Sequence, residues 1–509
     1  MAPRRPEKGK VTSKPRATAP SPIPASKGAR RGAAMIVPGF EAGAGGRRMR
    51  NFQATQLHIN TLIQQSGKDI TARARHMRRN NGYAAIAPQI WTAAAIGAGI
   101  TPRITVGSPK FRKAVQKLWL DWTDESDADG MTDYYGQQRR VGIEQFVAGE
   151  AFVRFRPRRP SDGLTVPLQL QILPSEMLPL SPVLTARSEN IRQGVEFDAI
   201  GRRVAYHFYK RHPGDLTQPT KAIEQSAVPA SEVLHIIDPE DADQIRGVSR
   251  YSAAIVKLFE LDIYDDAEIV RRKTAALFTG FVTRPAVDGS PFDESETVSP
   301  EGDRTLNLEP GVMNELEAGE AVTFTDPPES GNSYEPFQYR TLLQVCSALG
   351  VPYAPMTGDN TRGNYGSNRG GVIEFKRRVE AWQNAVLIFQ MNRAVWRRWC
   401  EVAVLAGSLK LEAGVTLRDL QRGVSWLTPK WDWLDPAKDA NAETAQIKAG
   451  LKSRTAALAE RGLDIEQVDE EIAAERRRAL ELGLVFEGVE LAEPPANDDS
   501  TGNSSKTEE

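Results

Sequence analysis

Residues 250–281 read RYSAAIVKLFELDIYDDAEIVRRKTAALFTGF, a stretch that has no proline and no glycine before Gly280. Ser249 can cap the start of a helix, and the three basic residues at 271–273 favour its C-terminal half through the helix dipole. About thirty residues that rise ~1.5 Å each predict a helix roughly 45 Å long.

Two groups of side chains divide the surface of this predicted helix. The apolar residues, which we expect to supply a buried side, are Ile255, Leu258, Phe259, Ile263, Ile269, Val270 and Leu277. Five acidic residues fall within nine positions, namely Glu260, Asp262, Asp265, Asp266 and Glu268. Such a run is usually a solvated face, and the alternative is the lining of an acidic cavity.

The sequence before this helix mixes helical and strand patterns. VPLQLQILP (166–174) and RRVAYHFYK (202–210) alternate as half-buried strands do, and Gly-Arg-Arg at 201–203 suits a hairpin turn. The run at 84–100, AAIAPQIWTAAAIGAGI, is too short and too weakly apolar to span a bilayer, so we expect a closely packed helix of small residues. Residues 81–245 are therefore predicted to form a mixed α+β region.

The sequence after the helix predicts three further elements. Residues 284–335 are rich in proline, glycine and acids, which indicates a small β-rich insertion, and 334–350 predicts a returning helix that ends at Gly350. A second long helix is predicted from about 372 to 405, with an aromatic residue at every seventh position of a packing seam: Phe375, Trp382, Phe389 and Trp396.

A helical block at 436–484 follows these three elements. It includes the turn RGLD at 461–464, in which Asp464 can cap the following helix.

The charge of the chain is distributed unevenly. The 509 residues carry 65 basic and 66 acidic side chains, for a net charge of −1, but residues 1–50 have a net charge of +10 and residues 51–80 of +4. The proline-rich basic tail 1–49 and the acidic tail 489–509 cannot bury enough apolar surface to fold, so we expect both to be disordered. A basic tail binds polyanions such as nucleic acid, or serves only as a solubilising extension.

No pattern of catalytic or metal-binding residues stands out. The five histidines lack paired ligand spacing, the two cysteines are isolated, and HExxH and GxSxG motifs are absent. We therefore expect no catalytic residues, no metal and no cofactor.

One loop, at 350–371, is rich in glycine and asparagine. It lacks the GK[ST] and GxGxxG patterns of nucleotide-binding loops. A basic, amide-rich loop suits sequence-independent contact with phosphates, and a purely structural mobile loop is the alternative. The candidate contact residues are Asn360, Arg362, Asn364, Asn368 and Arg369.

Several segments together resemble the lambda-type portal proteins of tailed bacteriophages. WLTPKWDWLDPAKDANAETAQIKAGLKSR (426–454) is similar to that family's W-P-W-DP-K-A signature and the AGL-S turn that follows it. The matching residues are Trp426, Pro429, Trp433, Asp435, Pro436, Lys438, Ala442, Ala449, Gly450, Leu451 and Ser453.

Two more segments carry the resemblance. DQIRGVSRYSAAI (243–255) contains the family's Q-x-R-G-V pattern, and LGVPYAPMTGDNTRGNYGSNRGGVIEF (349–375) is similar to its GVPY…GD…NYSSxR…EF run. The sequence departs from the family at Gly366, where a serine is typical, which makes the loop more mobile and weakens the case for a specific serine contact.

The resemblance implies an α+β portal fold with long stem helices, a β-rich clip, a mixed α/β wing and a helical crown, assembled as a ring. Carried onto this sequence, it divides the chain as follows: basic tail 1–49, wing 50–249, stem helix 250–283, clip 284–335, second stem helix 336–350, tunnel loop 351–371, long wing or spine helix with its connection 372–425, crown region 426–488 and acidic tail 489–509.

The resemblance also implies a structural role without enzyme activity. A ring, typically of twelve subunits, would occupy the capsid portal vertex of the virion, after assembly in the host cytoplasm, and would pass double-stranded DNA without sequence specificity. Implied partners are the terminase large subunit, the major capsid and scaffold proteins and a head-tail adaptor, with no membrane. The five acids at 260–268 would face the channel or a subunit contact, and the loop residues would lie near DNA.

Two other functions are compatible with parts of the sequence. One is a terminase-like packaging enzyme, an ATPase or a nuclease, against which the missing phosphate-loop and clustered-carboxylate motifs argue. The other is a basic-tailed DNA-binding protein that forms no ring.

Overall fold

The computed structural model describes residues 54–180, 190–215, 217, 224–277, 281–283, 314–316, 334–363, 365–431 and 436–484. The basic tail 1–49, the acidic tail 489–509 and most of the expected insertion 284–335 lie outside the described residues. The chain divides into two units, Met1–Leu57 and His58–Glu509, and all the elements below belong to the second.

Four helices begin this unit. They are α1 (Ile59–Asn80), α2 (Gly82–Ala95), α3 (Pro109–Glu125) and α4 (Tyr134–Ala148). Side chains that accept hydrogen bonds from first-turn amides cap all four: His58 for α1, Asn81 for α2, Ser108 for α3 and Asp133 for α4. Helix α2 confirms the small-residue helix expected from 84 onward.

The strands of this region form two antiparallel sheets. In one, β2 (Glu150–Pro157) lies between β3 (Leu168–Leu173) and β8 (Val233–Ile237). The other contains, in order, β4 (Ile191–Arg192), β5 (Val195–Phe197), β6 (Arg203–Tyr209) and β7 (Gln225–Pro229). The predicted hairpin is confirmed, since β5 pairs with β6 and Gly201 takes a φ of +80° in the turn.

The predicted long helix is shorter than expected. A 3₁₀ turn at Arg250–Ala253 precedes α5 (Ile255–Leu277), and Ser249 caps that turn rather than the α-helix. Residues 281–283 form a short strand, β9 (Phe281–Thr283), which pairs in parallel with β10 (Asn314–Leu316). The prediction of helix up to residue 281 is therefore wrong at its end.

The returning helix and the second long helix follow. Helix α6 (Tyr334–Leu349) ends at Gly350, whose φ is +72°, as expected. After the short α7 (Tyr353–Thr357), α8 (Tyr365–Trp382) begins seven residues before the predicted start at 372.

A π-helical segment joins α8 to the next helix and changes the expected packing seam. Residues Gln383–Asn392 form this segment, and α9 (Arg393–Leu405) continues from it. Each π turn closes an i→i+5 bond instead of i→i+4, so the side chains rotate away from the heptad positions. Phe389, expected in the seam, is therefore exposed, whereas Ile388 beside it is buried.

The C-terminal part returns to the first helices before it forms the helical block. Helix α10 (Leu417–Arg422) leads into β11 (Val424–Leu427), which pairs with β1 (Thr101–Ile104). The block then contains α11 (Pro436–Lys448), α12 (Arg454–Glu460) and α13 (Ile465–Leu482). The predicted cap is confirmed, because Asp464 accepts a hydrogen bond from the Glu466 amide.

The main core joins sequence-distant helices through aromatic side chains. Trp119 of α3 lies with its ring 5.2 Å from both Trp396 and Trp399 of α9, and it also contacts Trp122 and Tyr134. All five rings are fully buried.

A smaller core fills the space between the two sheets, where Phe152 packs on Tyr206 and Phe208. The mixture of helices and sheets confirms the α+β class. Among the described residues, no helix has the length and apolar character that a bilayer span requires.

Candidate functional site

Helices α5 and α6 pack side by side, and polar contacts set their register. The Tyr334 hydroxyl donates to Asp265 Oδ1 at 2.9 Å, and Gln338 Nε2 donates to Oδ2 at 3.3 Å. Tyr264 stacks on Tyr334 and touches Phe337, with ring centroids 5.9 and 4.9 Å apart. Burial, together with the Asp265 carboxylate, raises the pKa of Tyr334 to about 12, so the hydroxyl stays a donor at neutral pH.

The five acids of α5 do not form one surface. Asp265 faces α6, and Asp262 accepts a hydrogen bond from Asn81 Nδ2 at 3.3 Å. Glu268 is buried and pairs with two arginines of the next turn, which lower its pKa to about 2. Glu260, Asp262 and Asp266 are exposed, and of these three only Glu260 and Asp266 have no described hydrogen bond or ion pair.

An apolar stripe runs along the side of α5 that is opposite to the face packed on α6. It consists of Val256, Phe259, Ile263 and Val270, whose exposed fractions are 66, 54, 49 and 61%. Their spacing of three, four and seven residues places them on one helix face. The expectation of burial is confirmed for Leu258 but is wrong in the single chain for Phe259, Ile263, Ile269 and Val270, and Leu261, which was not in the expected set, is buried.

The segment between α7 and α8 carries two of the predicted loop residues. Asn360 is exposed, as expected of a contact residue. The Arg362 guanidinium lies 4.5 Å from the centre of the Tyr339 ring, pairs with Glu335 and is 4.0 Å from Asp359. Arg362 is therefore held against α6 by an aromatic ring and two carboxylates.

Two of the other predicted loop residues, Asn368 and Arg369, lie on α8. Arg369 is on the helix rather than in a loop, and its Nη2 is 3.7 Å from Asp439 of α11. Asn368 is also on α8, and its side chain is not described; Asn364 lies outside the described residues. Only Asn360 and Arg362 thus occupy loop positions among the described members of the set.

An open cavity of about 570 Å³ lies beneath this segment. Its lining includes Tyr339 of α6, Tyr353 of α7, and Phe375 and Arg378 of α8, with Arg362 at its edge. Loop residues and core residues such as Phe375 thus line the same open cavity.

A buried polar cluster, which sequence reasoning missed, joins β2 to β8 and to the loop before α5. Glu150 accepts hydrogen bonds from Ser175 Oγ at 2.6 Å and from Arg246 Nε at 2.8 Å. His235 lies between Glu150 and Arg203, 2.9 and 2.8 Å away. Because arginine can only donate, His235 Nδ1 accepts from Arg203 and Nε2 carries the proton donated to Glu150.

The pKa values of this cluster follow from its contacts. Burial alone would raise the pKa of Glu150, but Arg246 and His235 hold it well below its usual range. Burial lowers the pKa of His235, although the Glu150 carboxylate opposes this. The cluster therefore holds an ionised glutamate beside a neutral histidine.

The Q-x-R-G-V motif explains why this cluster is possible. Gln244 accepts from the amides of Glu240 and Asp241 and donates to the Arg246 carbonyl. A Cβ added at Gly247 would lie 2.2 Å from the Gly149 carbonyl oxygen, so only glycine lets the two backbones cross there. The motif was visible in the sequence, but its partner Glu150 lies 96 positions away and no local signal indicated it.

The cluster around Glu150 does not have the geometry of a catalytic site. Ser175 and His235 bind different oxygens of Glu150 rather than each other, so no nucleophile faces a base. Their side chains and that of Arg246 are inaccessible to a substrate. In the described ranges, no group of three or more His, Cys, Asp or Glu side chains could hold a metal ion.

Comparison with known proteins gives consistent matches. Residues 45–383 match the family model described as phage portal protein, lambda family. The chain is 26% identical over 475 residues to the probable portal protein of Halomonas phage phiHAP-1, covering 88% of this chain and 89% of that protein. It is 20% identical over 477 residues to portal protein B of Escherichia phage lambda, covering 84% and 87%.

Solved structures are also similar. A chain in the neck of a native GTA particle computed with C12 symmetry matches with a TM-score of 0.40 and 14% identity, over 78% of this chain and 94% of that one. A chain of the virion of a native gene transfer agent particle matches with a TM-score of 0.39 and 15% identity, over 81% and 95%.

Proposed function

The chain belongs to the lambda family of phage portal proteins, a structural and non-enzymatic family, and from this premise we propose that it assembles into a closed ring around an axial DNA channel. The portal role places the protein in the phage particle. The resemblance to the family supports a ring of twelve subunits at the capsid portal vertex, assembled in the host cytoplasm.

The apolar stripe of α5 is the observation that carries the ring proposal. Val256, Phe259, Ile263 and Val270 face water in the single chain, although burying such side chains is favourable by about 25 cal/mol per Å². The opposite face of α5 already packs on α6 through Tyr264. A neighbouring copy of the same helix pair can cover the stripe, and repetition of this contact closes a ring.

Two exposed acids of the same helix, Glu260 and Asp266, flank the apolar stripe, because six residues at ~100° each place them about 120° apart around the helix. We propose that Glu260 and Asp266 face the channel or a subunit contact, with Asn360 and Arg362 nearer to DNA. An acidic lumen repels the phosphate backbone, while a few amide and guanidinium groups make weak contacts that exchange as DNA moves. Strong phosphate contacts along the channel would be barriers to sliding.

The proposed partners follow from the family's role. They are double-stranded DNA bound without sequence specificity, the terminase large subunit, the major capsid and scaffold proteins and a head-tail adaptor. The proposed domains are 50–249 as the wing, 284–335 as the clip and 426–488 as the crown region, and the two stem helices correspond to α5 (Ile255–Leu277) and α6 (Tyr334–Leu349) within the expected ranges 250–283 and 336–350.

Electron microscopy and native mass spectrometry of the purified full chain test the ring. We expect closed rings from the unaltered protein, and monomers or open assemblies from Ile263→Asp, because a carboxylate would be desolvated at the contact. Ile200→Asp is the matched control, since Ile200 is also exposed but lies on a turn outside the stripe.

Two outcomes would contradict the proposal. A monomer or dimer under all conditions excludes the ring, and intact rings of Ile263→Asp exclude the stripe as the contact. A density map of the ring also shows whether Glu260 and Asp266 face the axis.

A further inference from the structure

Three arginines form a row on one face of β2. Arg154, Arg156 and Arg158 occupy alternate positions, while Val153 and Phe155 on the other face of the strand belong to the main core. Arg158 lies one residue past the strand, but its amide donates to the Pro167 carbonyl at 2.9 Å, which continues the pairing with β3. Alternate residues of a strand lie about 7 Å apart, so the row is ~14 Å long.

Few neighbouring side chains neutralise the positive charge of the row. Arg156 lies opposite Gln169, and Arg154 opposite Gln171 and Val233. Arg158 Nε donates to Gln169 Oε1 at 2.7 Å, whereas Arg154 Nε is buried without a hydrogen-bond partner. None of the three arginines forms an ion pair with another described residue.

Nearby carboxylates attract the row without pairing with it. Asp129 and Glu232 lie close enough to Arg156 to act on it electrostatically, but Asp129 is 3.7 Å from the Arg140 guanidinium instead. Burial, and then the charges of Arg154 and Arg158, lower the pKa of Arg156, whereas Glu232 and Asp129 act in the opposite direction.

We infer that this row, defined by Arg154, Arg156 and Arg158, is a surface contact for the phosphate backbone of double-stranded DNA. Guanidinium groups bind phosphate oxygens in a fixed planar geometry, and a regular row suits a polymer whose charges recur regularly. Each DNA strand carries a phosphate about every 3.4 Å of axis, so the row spans roughly four.

An acidic protein surface is the other polyanion that such a row could bind. Protein interfaces have an apolar centre surrounded by polar residues. Among the described residues, no exposed large hydrophobic side chain lies on β2, β3 or β8, and the cross-strand neighbours of the row include two glutamines. The absence of an apolar centre on these strands favours nucleic acid.

Binding of a labelled DNA duplex to the full chain tests the inference, with salt concentration as the variable. In the variant with Arg154, Arg156 and Arg158 all replaced by Gln, we expect affinity at low salt to fall at least tenfold. The slope of log K against log salt should decrease by about 2 to 3, as the loss of three phosphate contacts requires.

Two further variants separate the row from general effects. Replacing Arg476, Arg477 and Arg478 of α13 by Gln removes the same charge from another exposed position and should leave the slope nearly unchanged. Replacing the three arginines of the row by Lys should keep most of the slope, which separates lost charge from misfolding.

Three outcomes would overturn the inference. They are unchanged binding in the Gln variant of the row, an equal loss in the α13 control, and a loss of binding to polyglutamate with binding to the duplex unaltered. Because these measurements need no ring, their failure leaves the ring proposal intact.

Discussion

The cluster around Glu150 and the contact of α13 with the body use the same chemical pair in opposite surroundings. Glu150 and Arg246 are 1% exposed and bonded to each other through several atoms. Helix α13 has no buried residue and meets α3 through ion pairs at the surface, such as Arg112–Glu466 at 2.8 Å and Lys113–Glu470 at 2.6 Å.

Because one pair is buried and the other is exposed, the two contacts have different effects on stability. A buried pair has lost its hydration, so removal of one partner leaves a charge with no compensation. A surface pair is screened by salt and each one contributes little, so we expect the contact of α13 with α3 to open more readily than the buried cluster. The buried cluster is therefore expected to matter more for the stability of the fold than the α13 contact.

The largest effect is expected when the buried pair is broken. Arg246→Ala leaves the Glu150 carboxylate ionised and unpaired, which should reduce the free energy of unfolding by about 3–5 kcal/mol. Chemical denaturation followed by tryptophan fluorescence measures this change. Arg112→Ala is the matched control at the surface, and an equal loss in both variants would refute the distinction.

A smaller loss of folding stability is expected when the pH is lowered through the titration of the buried His235. Burial lowers the pKa of His235 from 6.5, so below that pH the unfolded chain binds a proton that the folded chain does not. Stability is therefore present above about pH 6.5 and is lost as the pH falls toward the folded pKa. Arg203 and Arg246 both oppose the added charge.

The denaturation midpoints of the unaltered protein and of His235→Gln, measured at about pH 7.5 and 5.5, test this linkage. Glutamine can still donate to Glu150 but does not titrate, so the variant should lose less stability on acidification. An identical decrease in both proteins would assign the pH dependence to other groups.

The smallest effect per contact is expected at α13. Each surface pair contributes about 0.2–1 kcal/mol, so Arg112→Glu should increase hydrogen exchange within α13 and leave exchange within α4 unchanged. Raising the salt from ~0.05 to ~0.5 M should act in the same direction.

The charge-swapped combination of Arg112→Glu with Glu466→Arg tests that the pair itself is responsible. It should restore slow exchange in α13. If α13 exchanges equally slowly in every variant and at both salt concentrations, the helix is held by something other than ion pairs.

Local patterns predicted much of the fold. The alternation at 202–210 and the turn at 201–203 identified the hairpin, and Asp464 identified the start of α13. These features depend on neighbours within a few residues. The predicted seam was wrong at Phe389, because the π-helical segment changes the rotation per residue and a heptad count assumes that it is constant.

The candidate site was less predictable. The sequence identified the acids of α5 as a group, but the fold directs Asp265 to α6 and buries Glu268 beside arginines, so only Glu260 and Asp266 remain directed to solvent without a described contact. Likewise, the contacts of Arg362 with Tyr339 and Glu335 join residues more than twenty positions apart.

By itself, the sequence determined the family, the α+β class and the main helices and strands, because motifs, caps and hydrophobic periodicity act over short distances along the chain. The tertiary structure decided which charges are paired and which face of α5 stays uncovered. Those properties depend on contacts such as Glu150 with Arg246, which only the folded chain brings together. Burial then sets the strength of each contact, because the two charges of an ion pair attract each other strongly in the protein interior and weakly in water.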